Sequence, residues 1–108
     1  MKYDYRNQIE IQQKNITRDT DGAEIEAWTT LHTTFCSMRQ LTANEKMAAQ
    51  QKYAEAKYML EMWYIDGITE VMRIKKDDGT YLDICGVDNV GSMSELLRLT
   101  CKEGAVDG

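Results

Sequence analysis

The chain has 108 residues, 43% of them hydrophobic and 29% charged. That is room for one domain with a modest core and hardly for two. Thirteen basic residues against 18 acidic ones leave a net charge of −5, and the longest basic run is Lys75-Lys76. This balance argues against a free-standing duplex binder, whose affinity comes from a basic face neutralising phosphates. No apolar stretch reaches the roughly 18–20 residues that a membrane-spanning helix needs.

Residues 8–12 alternate polar and apolar, the period-2 pattern of a half-buried strand with Ile9 and Ile11 inward. Residues 17–22 (T-R-D-T-D-G) form a turn cluster, where Asp side chains cap backbone amides and Gly tolerates positive φ. Residues 25–41 are rich in Thr, Trp, Phe and Leu and favour a strand. The segment is long for a flat strand, so a bend or bulge is expected near Thr33-Thr34.

Thr42-Ala43-Asn44-Glu45 is a capping box: the Thr42 hydroxyl meets the Glu45 amide, and the Glu45 carboxylate reaches back to Thr42. Good helix formers follow, to about Ala56, but Ala43, Met47 and Ala54 make a thin apolar face. Such a helix orders by packing on a neighbour. Residues 57–65 read as a strand with Tyr58, Leu60, Met62 and Tyr64 on one face and Met59, Trp63 and Ile65 on the other. Two apolar faces suit a strand covered by core on one side and by another subunit on the other.

Asp66-Gly67 ends that strand. Residues 70–75 read as the next, with Met72 and Ile74 inward. Asp77-Asp78-Gly79 is a hairpin connection, and residues 81–87 return with Leu82 and Ile84 on the core face. Residues 88–94 form a polar loop. Residues 96–102 make a last strand with Leu97, Leu99 and Cys101 on one face, and the tail from 104 to 108 is expected to fray. The sum is a mainly β fold: a small twisted antiparallel β-barrel or sandwich of five to six strands. One short helix or mobile segment lies between strands two and three, in a single domain spanning 1–108.

Chemistry-bearing residues are sparse. His32 and Cys36, four apart on one strand, lie roughly 13 Å apart, too far for a nucleophile–base pair. Cys36, Cys85 and Cys101 lack the close spacing of structural zinc ligands and read as buried small hydrophobes in a reducing cytosol. Glu24/Glu26 and Asp77/Asp78 read as solvated pairs rather than acid–base dyads. The 86–91 segment has two glycines but no helix after it to hold phosphate. No catalytic residue, cofactor or metal is expected. The aromatics of 58–64 could stack on single-stranded bases, as in an OB-like barrel, but the segment offers only Lys57 as a basic partner. The N-terminus has no apolar core of a signal peptide.

The order of these pieces resembles the head–tail joining proteins of tailed phages, the head-closure (stopper) or head-tail adaptor family. Arg6-Asn7-Gln8-Ile9-Glu10-Ile11-Gln12 is similar to its R-x-x-I-x-I-Q opening. Residues 19–28 resemble its D-x-x-G turn followed by Trp, and Leu41-Thr42-Ala43-Asn44-Glu45 its L-[ST]-x-x-E start of an Ala-rich segment. Gly67-Ile68-Thr69 with Met72-Arg73-Ile74 resembles its core motif, the most specific piece. Leu82-Asp83-Ile84 with Val87, and Leu97, Leu99, Cys101 and Glu103, resemble its closing strands. Trp63 stands where many relatives carry a charge, and Asp66 where Pro is common.

The resemblance implies a structural virion neck protein, a homo-oligomeric ring below the portal or adaptor that retains DNA and presents a docking surface to the tail. Its partners would be copies of itself, the portal or adaptor, and a tail-completion or tail-tube protein. DNA would pass through without sequence-specific binding, and no membrane would be involved. Thr42, Glu45, Lys46, Gln50 and Lys52 become a candidate channel- or partner-facing segment, and Trp63 and Ile65 a candidate subunit contact. An acidic wall suits sliding DNA, so lysines in place of channel-facing acids are expected to hinder ejection; unaltered ejection would remove that idea's support. A single-stranded nucleic-acid-binding barrel and a tail-completion protein are the alternatives.

Overall fold

The computed structural model describes residues 5–104. Six antiparallel strands close into a barrel: β1 (Asn7–Arg18), β2 (Glu24–Gln40), β3 (Tyr58–Trp63), β4 (Arg73–Lys76), β5 (Tyr81–Asn89) and β6 (Leu96–Glu103). The order around the barrel is β1-β2-β3-β6-β5-β4, with β4 returning to β1. One helix, α1 (Ala43–Gln50), lies between β2 and β3. The expected mainly β barrel with one short helix between its second and third strands is therefore the architecture found.

The alternation read from the sequence sets the interior. Ile9, Ile11, Leu60, Met62, Ile74, Leu82, Leu97 and Leu99 are all but inaccessible, with Cys36 and Cys101 among them. A barrel this small is filled by its own side chains, so the interior is packed core rather than a channel. Burial pushes the Cys36 thiol up to about 12 and the Cys101 thiol further still. Both behave as small hydrophobes, and neither supplies a nucleophilic thiolate.

Local chemistry sets the turns. Asp19 Oδ1 accepts from the amides of Asp21 and Ala23 at 2.9 Å each, and Gly22 adopts φ +83°. Between β4 and β5, Lys76 N donates to Thr80 O at 2.8 Å, and Asp78 Oδ1 takes the Thr80 amide at 2.9 Å. Gly79, at φ +87°, fills the left-handed position of this three-residue connection.

Several boundaries depart from the sequence reading: β5 runs on to Asn89 rather than ending at residue 87, and β3 covers only Tyr58–Trp63 of the expected 57–65. β1 continues to Arg18 rather than ending at residue 12, because β2 supplies a pairing partner along its whole length. The β2 bulge falls at Leu31, two residues before the expected site: Ile11 pairs with His32 and Gln12 with Thr30, leaving Leu31 over. Helix α1 stops at Gln50 rather than near Ala56. There the chain is pulled away so that Ala56 is buried and the Tyr53 ring lies against Gly86, where a Cβ would stand 2.9 Å from the Tyr53 hydroxyl. β4 begins at Arg73, since Thr69 and Met72 close a turn (Met72 N to Thr69 O, 3.2 Å). Gly104 donates to Tyr81 O at 2.9 Å; the rest of the tail expected to fray lies outside the described residues.

The β1–β2 hairpin outgrows the barrel. β4 pairs with β1 at Ile9 to Gln12, and β3 pairs with β2 from Cys36 onward. Residues 13–18 and 24–29 pair with each other and, among the described residues, with no other strand. They form an arm about 20 Å long at strand rise. The long axis of the molecule, 52 Å, is nearly twice the other two, 28 and 27 Å.

Candidate assembly surfaces

Arg73 fixes the arm to the barrel. Ile74 points into the core, so the preceding Arg73 points outward, yet it is buried. Its guanidinium carbon lies 4.1 Å from the Trp28 ring centroid, on the arm, and 3.8 Å from that of Tyr81, on β5. Its Nε donates to Gln12 Oε1 at 2.8 Å. A planar cation stacked on two aromatic rings while donating, in its own plane, to an amide oxygen is an arrangement that Lys cannot reproduce. It ties β1, β2, β4 and β5 together at the root of the arm.

The candidate segment after β2 is occupied differently from end to end. Thr42 and Glu45 make the expected capping box: Glu45 N to Thr42 Oγ1 is 3.2 Å and Thr42 N to Glu45 Oε1 is 2.9 Å. Glu45 also takes a bidentate bond from Arg39, at 2.6 and 2.8 Å. The Arg39 bond, then the Thr42 amide, hold its carboxyl down to about 2. Thr42 and Glu45 therefore anchor the start of α1 to the end of β2. Gln50 donates to Ala56 O at 3.3 Å and closes the far end. Lys46 and Lys52 are exposed, and Lys52 sits 5.5 Å from the Tyr53 ring. No residue of α1 is buried, and Met47 is 70% exposed. The helix is a cap-stabilised element standing off the barrel between two anchored ends.

The two candidate contact residues part company. Trp63 points outward and is 49% exposed, with Tyr5 against it edge-on at 5.6 Å. Ile65 is half-buried and packs on the barrel core. The sequence reading missed Trp63's neighbours. Register places Trp63 opposite Leu96 on β6, and the pairing of Cys36 with Met62 sets Phe35 beside Trp63 on β2. Phe35 is 51% exposed. Leu96 shares a shallow depression of about 200 Å³ with Val90 and Met93. The row behind is polar: Glu61 accepts from Arg98 Nε at 3.0 Å and from the Tyr5 hydroxyl at 3.2 Å. The signal was present as an outward residue on each strand, but it gathers into one patch only once the register is known.

A depression of about 340 Å³ lies at the barrel end by the β4–β5 turn, among Tyr58, Lys76, Thr80, Tyr81 and Glu103. Glu103 accepts from Lys57 Nζ at 2.8 Å and from the Tyr58 hydroxyl at 3.2 Å, so the Glu103 charge is met within the chain. His32 is exposed and Cys36 buried. Among the described residues no cluster of three His, Cys, Asp or Glu side chains could hold a metal, and no helix is long and apolar enough to cross a membrane.

The family model described as phage head completion protein matches residues 2–104. The solution structure of protein SF1141 from Shigella flexneri 2a is similar at a TM-score of 0.77 and 28% identity, over 94% of each chain. A chain from the virion of a native gene transfer agent particle is similar in fold at a TM-score of 0.60 and 9% identity, over 95% of this chain and 97% of that one. No curated protein matches. With the family model spanning nearly the full length of a barrel of the expected architecture, the chain belongs to the phage head completion protein family.

Proposed function

We propose that this protein is a ring-forming subunit of the virion neck, seated below the portal or its adaptor, where it retains packaged DNA and offers the tail its docking surface. Its role as a structural head-closure protein of the virion follows from its family; the ring, its neighbours and the DNA-retaining duty are the finer reading. The observation that carries the finer reading is the pair of exposed surfaces at opposite ends of β2. One is the arm, with Ile16 58% and Ile25 47% exposed, and the other is the patch around Phe35 and Trp63. Neither serves the chain's own core, and a subunit held on two sides needs both. The segment of Thr42, Glu45, Lys46, Gln50 and Lys52 is the element offered to the channel or to a neighbour. Its two ends are anchored, and its exposed middle is free to adapt.

A phage or prophage lacking this chain tests the reading. DNA-filled heads should accumulate that neither keep their DNA stably nor join tails, and the chain supplied in trans should restore both. Normal yields of joined, infectious particles without it would refute the proposal.

A further inference from the structure

The arm and the patch cannot meet within one molecule. Ile25 and Phe35 stand ten residues apart on β2, about 30 Å at strand rise, and the Arg73 stack holds the arm's root against the barrel. They also differ in kind. The patch is a broad, shallow sheet face: Phe35, Trp63 and Leu96 stand side by side on three adjacent strands, and Val90 continues the row. The arm is a narrow two-stranded ribbon with one isoleucine exposed on each of its two faces, Ile16 beside Glu26 on one and Ile25 beside Thr17 on the other, so either face offers an apolar contact, and its outer backbone edges are unpaired among the described residues. Such edges recruit another chain unless they are covered. Reach agrees with this: an arm of about 20 Å spans most of a barrel 27 to 28 Å across.

We propose that the β1–β2 arm of one copy lies across the Phe35–Trp63–Leu96 row of the next. This deepens the ring reading and rests on it. The contact joins two different surfaces, so it is head-to-tail, and a head-to-tail contact repeats around a closed ring rather than ending at a dimer. The Arg73 stack sets the arm's angle and, through it, the rotation between neighbours.

Two variants of the full-length chain test this in sedimentation velocity, with folding checked by circular dichroism. Trp63→Asp removes the row and keeps the arm, and Phe35→Asp takes its place if that chain does not fold. Ile16→Asp/Ile25→Asp removes the arm and keeps the row. At concentrations where the wild-type chain associates, each variant alone should stay monomeric, its self-dissociation constant raised at least about tenfold. Mixed, they should form one-to-one dimers that grow no further, an intact arm on an intact row.

A mixture that stays monomeric while the wild type associates overturns the arm-on-row contact and leaves the ring reading standing. So does either variant associating like wild type. A wild-type chain that remains monomeric to millimolar concentration overturns the arm-on-row contact as well, and leaves a ring assembled on the portal or adaptor standing.

Discussion

Arg73 shows how much one side chain settles. It is 6% exposed, and removing it would strip the flat cation from between Trp28 and Tyr81 and leave the Gln12 carbonyl facing an apolar gap. Two stacked contacts and one charge-assisted hydrogen bond make Arg73→Met a loss of about 3 kcal/mol. Arg73→Lys should recover little of it, because an ammonium cannot lie flat between rings. Denaturant titration followed by tryptophan fluorescence reads this directly, since Trp28 is one of the two reporters. Equal stability of Arg73→Lys and wild type would contradict the stacked geometry. Sequence reading reached this residue through the M-R-I resemblance but not its role. The rings that hold Arg73 come from 45 residues before it and eight after, and no local pattern announces a contact between them.

At the scale of elements, the legible features were those with short-range causes. The Asp-Gly turns, the capping box at Thr42, and the inward faces of β1, β3, β5 and β6 all follow from residues within a few positions of each other. The features that escaped were set from a distance. Nothing in Gln51, Lys52, Tyr53 or Ala54 stops a helix; α1 ends because Tyr53 and Ala56 are claimed by the barrel. The arm escaped because residues 13–18 bury no apolar face, so they carry no alternation to read.

Helix α1 also makes a pH prediction. Its cap depends on Glu45 being ionised, and the folded-state carboxyl titrates near 2 against an ordinary 4.5. A depressed carboxyl pKa contributes stability that is full above about 4.5 and fades as pH falls toward 2. By NMR, the Glu45 carboxyl should titrate near 2 in the wild-type chain and move back toward 4.5 in Arg39→Ala. A wild-type midpoint at 4.5 would show that the Arg39 clamp is not formed in solution.

For the whole molecule, composition excluded more than it assigned. A net charge of −5 and the lack of basic runs set aside tight phosphate binding, and the barrel class followed from turn spacing. The apolar excess on residues 58–65 pointed to a subunit contact, and the structure keeps Trp63 exposed while turning Ile65 against the core. Register brings Phe35, Trp63 and Leu96 from β2, β3 and β6 into one exposed row, the surface proposed for that contact. The proposed ring of barrels at the head–tail junction is tested most directly by cryo-electron microscopy of the neck in assembled particles. The expected result is a closed ring of six-stranded barrels between the portal vertex and the tail, each arm crossing its neighbour. A neck in which this barrel is absent, or present as isolated copies out of contact with one another, would contradict it.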